Sequence, residues 1–119
     1  MRWPGLLFLV VFSSCTGPAA PDDELCRDVI ERVCAANMCT AAAAQFMLPA
    51  EDCVSTVATR TGCNELTFTF TEPLTRARWL DCRLPLVRES EIRSAAPRCE
   101  YVDESVRNCP DLVTFLRGS

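Results

Sequence analysis

Nine cysteines and no histidine set the chemistry open to this 119-residue chain. The cysteines stand at positions 15, 26, 34, 39, 53, 63, 82, 99 and 109. Three uses compete for them: metal ligation, thiol–disulfide exchange and structural cross-linking. Zinc sites present close Cys or His pairs such as C-x2-C. Here the tightest spacing is Cys34-x4-Cys39, and no C-x-x-C occurs. Exchange-active pairs also favour C-x-x-C, where a helix start lowers one thiol's pKa. Cys34-x4-Cys39 straddles an expected helix end, where the dipole acts the other way. Cross-linking is the use that fits, with neither metal nor cofactor expected.

Without histidine the usual general base is missing, and Ser-His-Asp or Cys-His nucleophilic sites are excluded within this chain. A carboxylate pair can act as acid and base only where two acids converge in a cleft. Glu51/Asp52, Glu89/Glu91 and Asp103/Glu104 fall at expected helix starts or polar faces, where solvated or capping acids are the simpler reading. Asp22-Asp23-Glu24 lacks the D-x-D-x-D-G spacing of a calcium loop. The four glycines, at 5, 17, 62 and 118, form no phosphate loop or dinucleotide fingerprint. Trp79, Tyr101, Phe68 and Phe70 are candidates for a binding groove, but aromatics of a small chain usually belong to its core. The chain therefore reads as a non-enzyme.

The cysteine outside this scaffold is Cys15. Met1-Arg2-Trp3-Pro4-Gly5, an apolar run from Leu6 to Phe12 and Ser13-Ser14 describe a secretory leader. Phe12-Ser13-Ser14-Cys15 resembles the bacterial lipobox, in which signal peptidase II cuts before a cysteine carrying diacylglycerol; Phe12 stands where lipobox proteins usually have Leu. The resemblance makes Cys15 the lipidation site and divides the chain into a leader over 1–14, a lipidated tether over 15–21 and one domain over 22–119. Taking Cys15 from nine cysteines leaves eight, an even number able to close four disulfides. Thr16 stands where Asp commonly signals inner-membrane retention, so the resemblance places the protein in the outer membrane, facing periplasm or cell surface, with secretion as the alternative.

Removing 14 of 119 residues leaves 105, enough for one domain and too few for two. Losing Arg2 leaves 11 basic residues, all arginine, against 16 acidic ones, a net charge of −5. That charge disfavours nucleic acid and anionic headgroups, so membrane contact rests on the acyl chains at Cys15. Arginine, unlike lysine, offers each carboxylate a bidentate fork that never deprotonates.

The elements that must position these cysteines are helical. Asp22 to Ala36 carries Leu25, Cys26, Val29, Ile30, Val33 and Cys34 as one stripe, with acids in its first turn and Asn37 as its stop. Thr40 to Leu48 is alanine-rich and predicts a helical turn or two. A firmer helix opens at Pro49, buries Ala50, Cys53, Val54, Val57 and Ala58, and ends at Gly62. Leu66 to Thr71 alternates like a strand but has no partner, which predicts an extended connector with Phe68 and Phe70 plugged into the helices. A third helix starts at Thr71-Glu72-Pro73 and stops near Leu84 before Pro85, with a helical resumption over Pro85 to Arg93. Pro97 opens the last main helix, Pro110 breaks it, and Leu112, Val113, Phe115 and Leu116 form a final docking turn. The fold class is all-α: a small disulfide-stapled helical bundle of two α-hairpins with extended connectors.

Eight cysteines allow 105 pairings, and sequence alone selects none. Antiparallel hairpins supply a filter, because facing residues have nearly constant position sums. Cys26 with Cys63 and Cys34 with Cys53 sum to 89 and 87, which suits one hairpin turning near residue 44. Cys82 with Cys109 suits a second turning near Ser94 to Ala96, leaving Cys39 for Cys99 between the two. The first hairpin resembles a twin-cysteine helical hairpin with unequal spacings. The whole chain resembles the short, cysteine-rich, mostly helical lipoproteins of GC-rich Gram-negative bacteria such as myxobacteria, a resemblance that brings no activity with it. The function expected is a lipid-anchored binding or structural module for an unknown protein or envelope partner. The alternatives are an exported effector or enzyme inhibitor on a stapled scaffold and, third, a thiol–disulfide enzyme.

Overall fold

The computed structural model describes residues 19–89 and 96–118. Residues 1–18, with the leader and Cys15, lie outside the described residues, as does the expected turn at Ser94. Six helices run through the described part: α1 Asp22–Ala35, α2 Thr40–Phe46, α3 Cys53–Thr61, α4 Arg76–Val87, α5 Cys99–Asn108 and α6 Pro110–Arg117. Helix α1 packs on α3 and α4 on α5, while α6 lies against α2 and α3. This is the expected helical bundle, stapled by four disulfides.

Helix α1 follows its stripe. Leu25, Cys26, Val29, Ile30, Val33 and Cys34 are all buried, and Asp22, Asp23 and Glu24 occupy its first turn. Helix α2, at seven residues, is too short to persist alone. Its last carbonyls are held by arginines from elsewhere. Arg60 of α3 donates to the Phe46 and Met47 oxygens at 2.7 and 3.0 Å, and Arg117 of α6 donates to Gln45 O at 2.6 Å. Arg60 Nε also reaches Leu116 O at 2.8 Å, so one guanidinium caps the C-terminal ends of α2 and α6, where the helix dipole is negative. Burial pushes the Arg60 guanidinium below its ordinary pKa.

Several helix boundaries differ from the sequence reading. Helix α3 starts at Cys53, not Pro49, because Asp52 takes a left-handed conformation (φ 52°) that no helix interior accommodates. Helix α4 starts at Arg76, not at Thr71-Glu72-Pro73. Thr71 pairs with Leu74 in a tight turn, and Thr75 caps the helix by accepting from the Arg78 N–H at 3.3 Å. The same helix runs through Pro85 to Val87; the lost backbone bond is outweighed by burial of Pro85, Leu86 and the disulfide-tied Cys82. Helix α5 starts at Cys99 while Pro97 is buried just ahead of it. Pro110 marks the end of that helix as expected, α5 stopping at Asn108, and is itself the first residue of α6, a position that needs no N–H.

The connector from Asn64 to Thr75, expected to be extended, turns at both ends: the Phe68 N–H donates to Glu65 O, and Thr71 pairs with Leu74. Phe68 and Phe70 pack half-buried against the core as expected. Phe70 lies 4.9 Å from Trp79, Trp79 sits edge-on to Phe115 at 5.5 Å, and Phe68 closes the set 6.0 Å from Phe115. Trp79 is fully buried, and its Nε1 donates to Leu25 O at 3.0 Å, joining α4 to α1.

Candidate functional site

The cysteines expected to pair do meet in the structure. Cys26–Cys63, Cys34–Cys53, Cys39–Cys99 and Cys82–Cys109 are bonded, with Cα separations of 5.9, 5.8, 5.4 and 6.0 Å. Their surroundings differ. Cys26, Cys63, Cys82 and Cys109 lie inside the core, whereas Cys53 is half-buried and Cys99 exposed. Cys82, Cys109 and Asp111 bring three potential metal donors within 4.8 Å, but the two sulfurs are already joined to each other.

Of the candidate acids, Glu51 and Asp52 are exposed, and Glu104 and Glu89 are gripped by arginine. Arg88 grips Glu104 bidentately at 2.9 Å on each oxygen and lies 4.7 Å over the Tyr101 ring. That hydrogen-bonded guanidinium holds the Glu104 carboxyl below the usual range. Glu89 pairs with Arg98 at 3.2 Å, Asp103 is half-buried beside Glu104 in the sequence of α5, and Glu91 lies outside the described residues. Asp22 accepts from the Phe70 N–H at 3.0 Å and from Arg76 at 2.6 Å, so this acid ties the connector to α1.

Arg78 grips Asp111 in the same bidentate way, at 2.9 and 3.0 Å, and its hydrogen bond lowers the Asp111 pKa. A carboxyl lowered in the folded state stabilises fully above its unfolded pKa and loses that contribution as pH falls through the folded one. Asp111→Asn is therefore expected to lower stability at pH 7 and to cost less near pH 2. Urea titrations at both pH values check this; an equal loss at both would overturn it.

Sequence reasoning missed the buried charges. Asp28 is fully buried between two guanidiniums, accepting from Arg32 Nε at 3.1 Å and from Arg83 Nε at 2.6 Å. The signal was the i, i+4 spacing of Asp28 and Arg32, which reads equally as a solvated pair until Arg83 of α4 covers it.

The surface that remains for binding is apolar with an acidic edge. Val54 was expected in the buried stripe of α3, but only Val57 and Ala58 of that helix are buried, and Val54 is 39% exposed. Ala50, which lies ahead of the helix, is exposed as well. Between α1 and the start of α3 this leaves an open cleft of about 660 Å³, floored by Cys34, Ala35, Cys53 and Val54, with Glu31 and Asp52 beside them. A smaller cleft of about 200 Å³ opens at Met38, Cys39, Thr40, Cys99 and Asp103. Among the described residues no helix is long and apolar enough to cross a membrane.

Compared with protein-family models, with curated proteins and with solved structures, the chain matches none.

Proposed function

We propose that the protein is a non-catalytic, lipid-anchored module of the cell envelope that binds another protein or envelope component on a rigid surface. The observation that carries the reading is the cleft between α1 and α3. Its floor is apolar, its edge holds Glu31 and Asp52, and the Cys34–Cys53 bridge fixes its two walls. Such a surface suits a partner that presents an apolar side chain beside basic groups. A wall that does not move on binding avoids the ordering cost that a flexible one incurs. Anchoring rests on Cys15, whose lipobox-like surroundings supply the acyl chains while the acidic domain stays off anionic headgroups.

One experiment addresses both halves. The native chain and Cys15→Ser are fractionated from envelopes and crosslinked in place. The native chain is expected in the membrane fraction with a diacylated Cys15 by intact mass, joined to one discrete partner through residues near Val54. Cys15→Ser is expected to be soluble. An unmodified Cys15 would overturn the anchor, and crosslinks spread evenly over the surface would overturn the binding module.

A further inference from the structure

The four bridges are not equivalent, and their arrangement assigns one of them a role beyond cross-linking. Cys26–Cys63 and Cys34–Cys53 lie within the α1–α3 half, and Cys82–Cys109 lies within the α4–α6 half. Apart from the chain itself, Cys39–Cys99 is the covalent tie between the halves. Its Cys99 end is exposed, more so than the half-buried Cys53, and its Cys39 end is 5% exposed, while Cys26 and Cys63 are 0% exposed and Cys82 and Cys109 only 1% and 2%.

We propose that Cys39–Cys99 is a thiol–disulfide exchange site: a dithiol reductant opens it while the other three bridges stay closed and the domain stays folded. Three features support this. The cleft at Met38, Thr40 and Asp103 opens directly beside the two sulfurs and gives an incoming thiolate room to reach Cys99. Cys99 is the first residue of the ten-residue α5, so the thiolate finally released there lies against the free N–H groups of a helix start. The nearest competitor, Cys34–Cys53, has Glu31 and Asp52 beside its cleft, whereas beside Cys99 stand Asp103 and a Glu100 that is paired with Arg98 at 3.2 Å, and like charge slows an attacking thiolate.

The exchange proceeds in two displacements. A reductant thiolate attacks Cys99 Sγ; a sulfur–sulfur bond forms between them, the Cys39–Cys99 bond breaks, and its electron pair leaves on Cys39 Sγ, which takes a proton from solvent. The reductant's second thiolate then attacks its own sulfur in the mixed disulfide and releases Cys99 as a thiolate, which is protonated in turn. The bridge gains two electrons and two protons, and the dithiol becomes a disulfide. The halves remain joined by contacts that survive this change: Trp79 to Leu25, Arg83 to Asp28 and Arg76 to Asp22.

The test is graded reduction of the oxidised native chain with dithiothreitol, quenched by alkylation at successive times and read by peptide mapping. Cys39 and Cys99 are expected to be alkylated first, at least tenfold faster than Cys26, Cys63, Cys82 or Cys109. The species alkylated only at this pair is expected to keep the native far-UV circular dichroism. Opening of Cys34–Cys53 at the same rate or sooner, or opening of all four together, would overturn the assignment. The Cys39→Ala/Cys99→Ala variant gives the open form without reductant. It is expected to keep the native spectrum and unchanged slow reduction at the buried bridges; loss of helical signal in that variant would overturn selective opening in a folded domain.

Discussion

Asp28→Ala is expected to destabilise the domain by about 3–5 kcal/mol, the scale for breaking a buried charge network by removing one partner. Asp28 is the carboxylate between Arg32 and Arg83, and the three side chains are 0%, 1% and 9% exposed. Its removal leaves two guanidiniums near each other without the carboxylate between them, in surroundings where water cannot screen them. Asp28→Asn keeps the shape and one acceptor while losing the charge, so its cost is expected to fall between alanine and wild type. Urea denaturation of the oxidised proteins reads both. The informative contrast is the triple replacement of Asp28, Arg32 and Arg83 by apolar residues of similar volume, expected to recover most of the loss because the charges of this network are then gone together. A loss below about 1 kcal/mol for Asp28→Ala would mean that the guanidiniums reach solvent in its absence.

The same residue shows where sequence reading reached its limit. Periodicity on α1 identified its apolar stripe because burial there is a local property: Leu25, Val29, Ile30 and Val33 recur at the helical period and all lie in the core. Asp28 and Arg32 lie off that stripe, and their burial depends on α4, whose Arg83 is 55 residues from Asp28. No local pattern encodes that approach. Boundaries failed for a related reason. Proline's missing N–H, with acids after it at Pro49, marks a helix start or stop in sequence, yet Pro49 lies before a left-handed Asp52, and Pro85 sits inside a helix that burial carries past it.

The cysteine pairs were legible to the extent that antiparallel packing was. In a hairpin the position sum is a geometric quantity, and the bonded pairs Cys26–Cys63 and Cys34–Cys53 share nearly the same sum because α1 and α3 face each other. The cleft was not legible. It exists because Val54, on the same helical face as the buried Val57 and Ala58, is left exposed at the first turn of α3, and which turns another element covers is a tertiary property that periodicity does not carry.

Replacing Cys26 and Cys63 together by alanine is expected to cost about 4 kcal/mol from chain entropy alone, for a bridge spanning 37 residues. By the same relation the four bridges, spanning 19 to 60 residues, differ by only about 1 kcal/mol. Burial therefore decides their ranking. Both sulfurs of Cys26–Cys63 are fully buried, so their loss also opens space in the core between α1 and the end of α3. The double variant is expected to be the least stable of the four paired removals, with Cys39→Ala/Cys99→Ala retaining more stability despite its longer loop. Small domains have net stabilities of about 5–15 kcal/mol, so the Cys26–Cys63 variant should stand close to its unfolding threshold at 37 °C. Thermal denaturation ranks the variants, and non-reducing peptide mapping confirms that the remaining bridges keep their partners. Cys63→Ala alone leaves the Cys26 thiol single and is expected to scramble or dimerise. Equal melting temperatures for the Cys26–Cys63 and Cys39–Cys99 double variants would show that loop entropy and not core packing sets the contribution of these bridges.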